Sequence, residues 1–190
     1  MSLLGVEEAA MALIDEDDKE DVKEFFDALC VFYDKLIDKY KTYFNPDIIL
    51  FHDDWGTQRS PFFSAATTRE MFLPYLSRLV ESCHSRGIIF ELHSCGFNEP
   101  NVPVMLEAGV DIWTGQQMND TKKLIELYGD KLLFQVEAPV FLPGTPKEEI
   151  VKTAEAFFEN YKDSTTAFIV YFPDPVFHET IYRLSREYYQ

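Results

Sequence analysis

Positive charge is scarce in this chain of 190 residues: 17 Lys and Arg stand against 33 Asp and Glu, a formal net charge of −16. A polyanion would be repelled over most of such a surface, which argues against nucleic-acid binding. It also mildly disfavours a very anionic substrate, unless arginines gather locally. Cysteine is scarce too. Cys30, Cys83 and Cys95 lie far apart without CxxC spacing, and an odd number offers no disulfide framework, so a reducing, cytoplasmic setting is expected. No apolar run approaches the ~20 residues of a membrane-spanning helix. The N-terminus has no basic segment leading into an apolar stretch, so no secretory leader is expected. Apolar material, by contrast, is plentiful at 46% hydrophobic and 15% aromatic residues, enough for one ordinary core and hence a single domain over 1–190.

The hydrophobic period divides the chain into N-terminal helices (1–44) and successive strand–helix units (45–190). From Asp17 to Lys41, Val22, Phe25, Phe26, Leu29, Phe32, Tyr33, Leu36, Ile37 and Tyr40 recur at helical spacing, with a shorter helix over Val6–Ile14 before it. Beyond Asn45-Pro46, Asp47–Phe51 is a compact apolar run and reads as a buried strand. Thr67 and Glu70 form a capping box for a helix that Gly87 ends. The alternation repeats with strands Ile88–Leu92, Val110–Trp113, Leu132–Val136 and Ala167–Phe172. Between and after them come helices Val102–Glu107, Thr121–Tyr128, Thr145 to about Lys162 with Pro146 at the first position, and Val176–Tyr189. Short apolar strands alternating with helices imply parallel βαβ units and an α/β fold. An open doubly wound sheet and part of a barrel fit the pattern equally.

In either architecture function gathers at the carboxyl ends of the strands, and there the sequence turns polar. The first strand leads to His52, Asp53, Asp54 and Gln58, the second to His93 and Cys95, and the third to Gln116 and Gln117. The fourth leads to Glu137, and the fifth to Asp174 and His178. Side chains two apart on a strand share a face, so Glu91, His93 and Cys95 converge if the strand extends that far. His and Cys are good zinc ligands, and catalytic zinc takes three protein ligands and leaves one position open. A barrel-lining histidine beside an ordinary cysteine reads the same way. Asp53 and Asp54 suit acid–base work, substrate hydrogen bonding or helix capping. His52 and His84 read as packing or surface residues.

Four segments, Asp53–Gln58, Met71–Tyr75, Leu92–Gly96 and Glu107–Asp111, resemble in order and spacing the uroporphyrinogen decarboxylase-like superfamily. The resemblance spans about Gly5 to the C-terminus, where Leu184–Tyr189 also looks familiar. It implies a (β/α)8 barrel of which these five units are the C-terminal portion. Within the superfamily, His93 and Cys95 resemble the His-x-Cys zinc motif of the methylcobamide:thiol methyltransferases. That branch implies zinc, a corrinoid carried by a partner protein or bound as cosubstrate, and a small-molecule methyl acceptor. The branch's third ligand, a cysteine after the last strand, is missing, which leaves Glu91, Asp174 or His178 as substitutes. The resemblance implies catalytic roles for Asp53, Asp54 and Glu137 and substrate contacts for Gln58, Gln116 and Gln117.

The leading expectation is therefore a corrinoid-dependent methyltransferase domain. A uroporphyrinogen decarboxylase-like enzyme is the alternative, and a catalytically silent partial barrel that binds a partner is the third reading. An incomplete barrel leaves open edges, so a homo-oligomer with little turnover by itself is expected.

Overall fold

The computed structural model describes residues 5–164, 166–169 and 174–190. The chain forms two compact units, one running through Asn119 and the other beginning at Asp120. The first contains α1 (Val6–Ala12), α2 (Lys19–Phe44), β1 (Ile48–Asp54), α3 (Ala65–Met71), α4 (Leu73–His84), β2 (Ile89–Cys95), α5 (Val102–Ala108) and β3 (Ile112–Gly115). The second contains α6 (Thr121–Tyr128), β4 (Leu133–Glu137), α7 (Lys147–Tyr161), β5 (Thr166–Ile169) and α8 (Pro175–Tyr188). Within the units, β1 pairs with β2, β2 with β3, and β4 with β5, all in parallel. The α/β reading holds, and the expected last strand reaches beyond the described residues at 170–173. No described helix is long and apolar enough to cross a membrane.

Local chemistry accounts for several boundaries. Asn45, in the left-handed conformation at φ 45, ends α2 and hands the chain through Pro46 to β1. The expected capping box at Thr67 is displaced by three residues: Ser64 is the N-cap, and its hydroxyl accepts the Thr67 N–H. The single helix expected there is two, because Pro74 has no N–H to donate and α4 restarts around it after Phe72. Pro146 stands just outside α7 as its N-cap residue, one position earlier than expected.

Two strands run further than the apolar runs suggest. β1 continues through His52, Asp53 and Asp54, and β2 through His93, Ser94 and Cys95, because the parallel ladder pairs these residues as well. Alternation then sorts the two faces. Ile49, Phe51 and Asp53 share a face with Phe90, Leu92 and Ser94, and on this side Phe90 and Leu92 are buried in the core with Trp113. Each such large apolar side chain stabilises the fold by about 1.5–3 kcal/mol. The other face carries Leu50, His52 and Asp54 beside Glu91, His93 and Cys95, and then Ile112 and Thr114. In the second unit, Ala138, Ile150, Ala154, Phe158, Phe177 and Ile181 form a separate cluster between α7 and α8.

Candidate metal centre

The register that places His52 opposite His93 and Asp54 opposite Cys95 builds a four-residue grid at the carboxyl ends of β1 and β2. His93 Nε2 lies 3.4 Å from Cys95 Sγ, and His52 Nε2 lies 3.6 Å from the same sulfur. All three ligating atoms fall within 4.8 Å of one another. Tetrahedral zinc with bonds of about 2.0 Å to nitrogen and about 2.3 Å to sulfur holds the two about 3.5 Å apart. The donor set therefore suits zinc in its chemistry, and both nitrogen–sulfur distances match the tetrahedral edge.

The electrostatics favour ligation. His93 is buried, and its Nδ1 makes no close hydrogen bond among the described residues. Burial first, then the neighbouring His52, pushes the His93 imidazole below its ordinary value, while Asp54 and the Thr114 backbone pull the other way. Burial thus favours the neutral ring, the form that donates a lone pair to a metal. His52 is more open, with its Nε2 3.6 Å from Asp54 Oδ1.

The segment after Cys95 is held by buried amides. Asn98 Nδ2 donates to the Cys95 carbonyl at 2.7 Å, and the Asn98 backbone N–H donates to Asn119 Oδ1 at 2.7 Å. Asn119 Nδ2 in turn donates to the Gly96 carbonyl at 3.0 Å. Gly96 itself has φ 88, and a Cβ there would meet the Gly56 backbone at 2.2 Å, so no other residue fits. Asn98 and Asn119 do not stand out in the sequence, since their partners are backbone groups brought close only by the fold.

The other expected site residues fall in varied places. His52, expected to be a packing or surface residue, is the third member of the cluster. Glu91, proposed as a third ligand, is buried and accepts the Thr114 hydroxyl at 2.6 Å, outside the cluster. Asp174 caps α8, its carboxylate accepting the Val176 and Phe177 N–H groups, and His178 is exposed on that helix. Neither belongs to the metal-ligating group found among the described residues. Asp53 faces away from the cluster, because it is one position out of phase with His52 and Asp54. Its carboxylate accepts the Trp55 indole N–H at 3.1 Å and the Asp54 N–H at 3.0 Å. Gln116 is a brace, its Oε1 accepting the Gly96 N–H at 2.8 Å. Gln58 and Gln117 are exposed, and Glu137 is half-buried at the end of β4 in the second unit. His84 pairs with Asp111 at 2.7 Å, and that same carboxylate accepts the Phe90 N–H.

No protein-family model matches the chain, and no curated protein matches it. Among solved structures it is similar to a methyltransferase from Methanosarcina mazei, at 20% sequence identity and a TM-score of 0.53. The match covers 76% of this chain and 43% of that one, so the chain spans less than half the length of this structural neighbour. At that identity the likeness shows a shared fold.

Proposed function

We propose that this chain is a methyltransferase-like domain of the uroporphyrinogen decarboxylase superfamily, in which His52, His93 and Cys95 hold zinc. A small thiol or similar acceptor would receive a methyl group from a corrinoid carried by a partner protein or bound as cosubstrate. The observation that carries this reading is the cluster itself, two imidazole nitrogens 3.4 and 3.6 Å from one thiol sulfur on adjacent strand ends, with all three donor atoms within 4.8 Å of one another. The fold shared with a methyltransferase supports it. Read as a C-terminal barrel portion, the chain would use this cluster at the functional face of the strands.

Zinc bound there would keep an acceptor thiol, whose ordinary pKa is about 8.5, deprotonated near neutral pH. The chain's own residues do the rest. His93, whose neutral form burial favours, and Cys95, whose backbone and that of Gly96 are tied by the Asn98 and Asn119 amides, would supply two of the donors. Asp54, beside His52 and open to solvent, is the carboxylate placed to take up a proton leaving the acceptor. Gln58 and Gln117, exposed after β1 and β3, are candidate substrate contacts.

Metal analysis of protein purified without chelator tests the reading. The expected result is one zinc per chain, lost or weakened about a hundredfold in His52→Ala, His93→Ala and Cys95→Ser. Wild-type protein that holds zinc no better than these variants would overturn it.

A further inference from the structure

The long helix α2 presents different residues to its different neighbours. Asp27, Asp34 and Asp38 face α4, where they meet Arg78, Ser82 and Arg86. Phe26, Tyr33 and Ile37 face the sheet: the Tyr33 ring lies 5.3 Å from that of Phe51 on β1, and Ile37 is buried. Phe25, Phe32 and Leu36 repeat the spacing of the three aspartates two positions earlier, which on a helix of 3.6 residues per turn is about 200° away. They therefore lie on the flank turned away from α4, and Phe25 and Phe32 are 47% and 57% exposed. We propose that this flank is a homodimer interface, on which α2 packs antiparallel against α2 of a second copy.

Charge complementarity favours a second copy as the occupant. Asp21 and Glu24 stand on the N-terminal half of this flank and Lys35 and Lys39 on its C-terminal half, all four exposed. The flank is thus neutral in a chain of net charge −16. Other charges of the same helix, on Lys19, Lys23, Asp27, Asp34 and Asp38, are paired within the unit. These four make no ion pair among the described residues. Antiparallel packing lays each acidic half over the basic half of its partner, which makes the surface complementary to itself.

One register satisfies charge and size together. With the two helices crossing near Cys30, Asp21 meets Lys39 and Glu24 meets Lys35. The same register sets Phe25 against Leu36, and Phe32 against Ala28, a large side chain over a small one. A two-fold axis perpendicular to the helices repeats every pair, and it keeps the apolar pairs on the side nearer the sheets and the Glu24–Lys35 pairs on the outer rim. Burying aromatic rings that a monomer leaves in water supplies the driving force, and the charges set the register. The interface gives the expected homo-oligomer a definite surface and uses none of the metal-cluster residues.

Sedimentation equilibrium of the full chain over a concentration series tests the interface. A reversible dimer is expected, weakened about thirtyfold or more by Phe32→Glu. Glu24→Lys and Lys35→Glu should each weaken it by up to about tenfold, because each sets like charges opposite one another twice in the dimer. Combined in one chain, the two reversals re-create the pair and should restore wild-type dimerisation. Within a chain the two positions are separated by about 16 Å of helix, so this rescue arises only between copies. Wild-type protein that stays monomeric at concentrations on the order of 1 mM would overturn the proposal. So would a dimer indifferent to Phe32→Glu, or a double reversal no better than the single ones. The charge exchange decides the matter even if Phe32→Glu does not fold.

Discussion

His52 and His93 become neighbours only through strand pairing, and this sets the behaviour of individual residues around them. Cys83 is fully buried and its thiol is pushed up to about 11 by desolvation, and burial raises Cys30 as well. At pH 8 Cys83 is about one part in a thousand thiolate. Alkylation of native protein followed by peptide mapping should therefore label half-buried Cys95 first, with added zinc slowing that reaction alone. Equal labelling of all three would contradict the burial pattern. Asp53 gives a pH signature. Its folded-state pKa lies above its unfolded value, so its contribution to stability is complete below about pH 4 and is lost as pH rises through the folded value. Urea unfolding across that window should show a flatter pH profile for Asp53→Asn than for wild type. Glu91→Gln, by contrast, should keep full zinc content, because Glu91 serves the Thr114 hydroxyl and lies outside the cluster.

At the scale of elements, the glycines after strands and helices are unequal. Gly96→Ala should cost on the order of 3 kcal/mol or more, since its Cβ would strike the Gly56 backbone at positive φ. Gly87→Ala, also at positive φ but with no atom near the added carbon, should cost about 1 kcal/mol. Ser64→Ala should cost about 1 kcal/mol through loss of the α3 cap. Denaturant titration ranks the three. Alternating strands and helices were legible in the sequence because burial imposes periods that a single chain displays. The strand ends were not: Phe51 and Leu92 close the apolar runs, yet pairing continues to Asp54 and Cys95 through backbone groups that composition does not report. His93 and Cys95 could be linked by their spacing of two. His52 could not be joined to them, because a register between distant strands leaves no local trace. Asp53 was misplaced for the converse reason, since beside Asp54 it looked equivalent until the strand's alternation separated them.

At the scale of the whole molecule, a net charge of −16 makes self-repulsion a general load on the folded state. Thermal unfolding should move to higher temperature from low to high sodium chloride as this repulsion is screened, and a melting point insensitive to salt would count against it. The parallel pairing of β1 with β2 has a kinetic consequence as well. Two strands running the same way cannot meet until the intervening segment, with both α3 and α4, has looped back, and such non-local closure is slow compared with helix formation. During biosynthesis the donor atoms therefore come together only after Cys95 has emerged and β2 has docked, so any ion would be captured late, by a chain already committed to its topology.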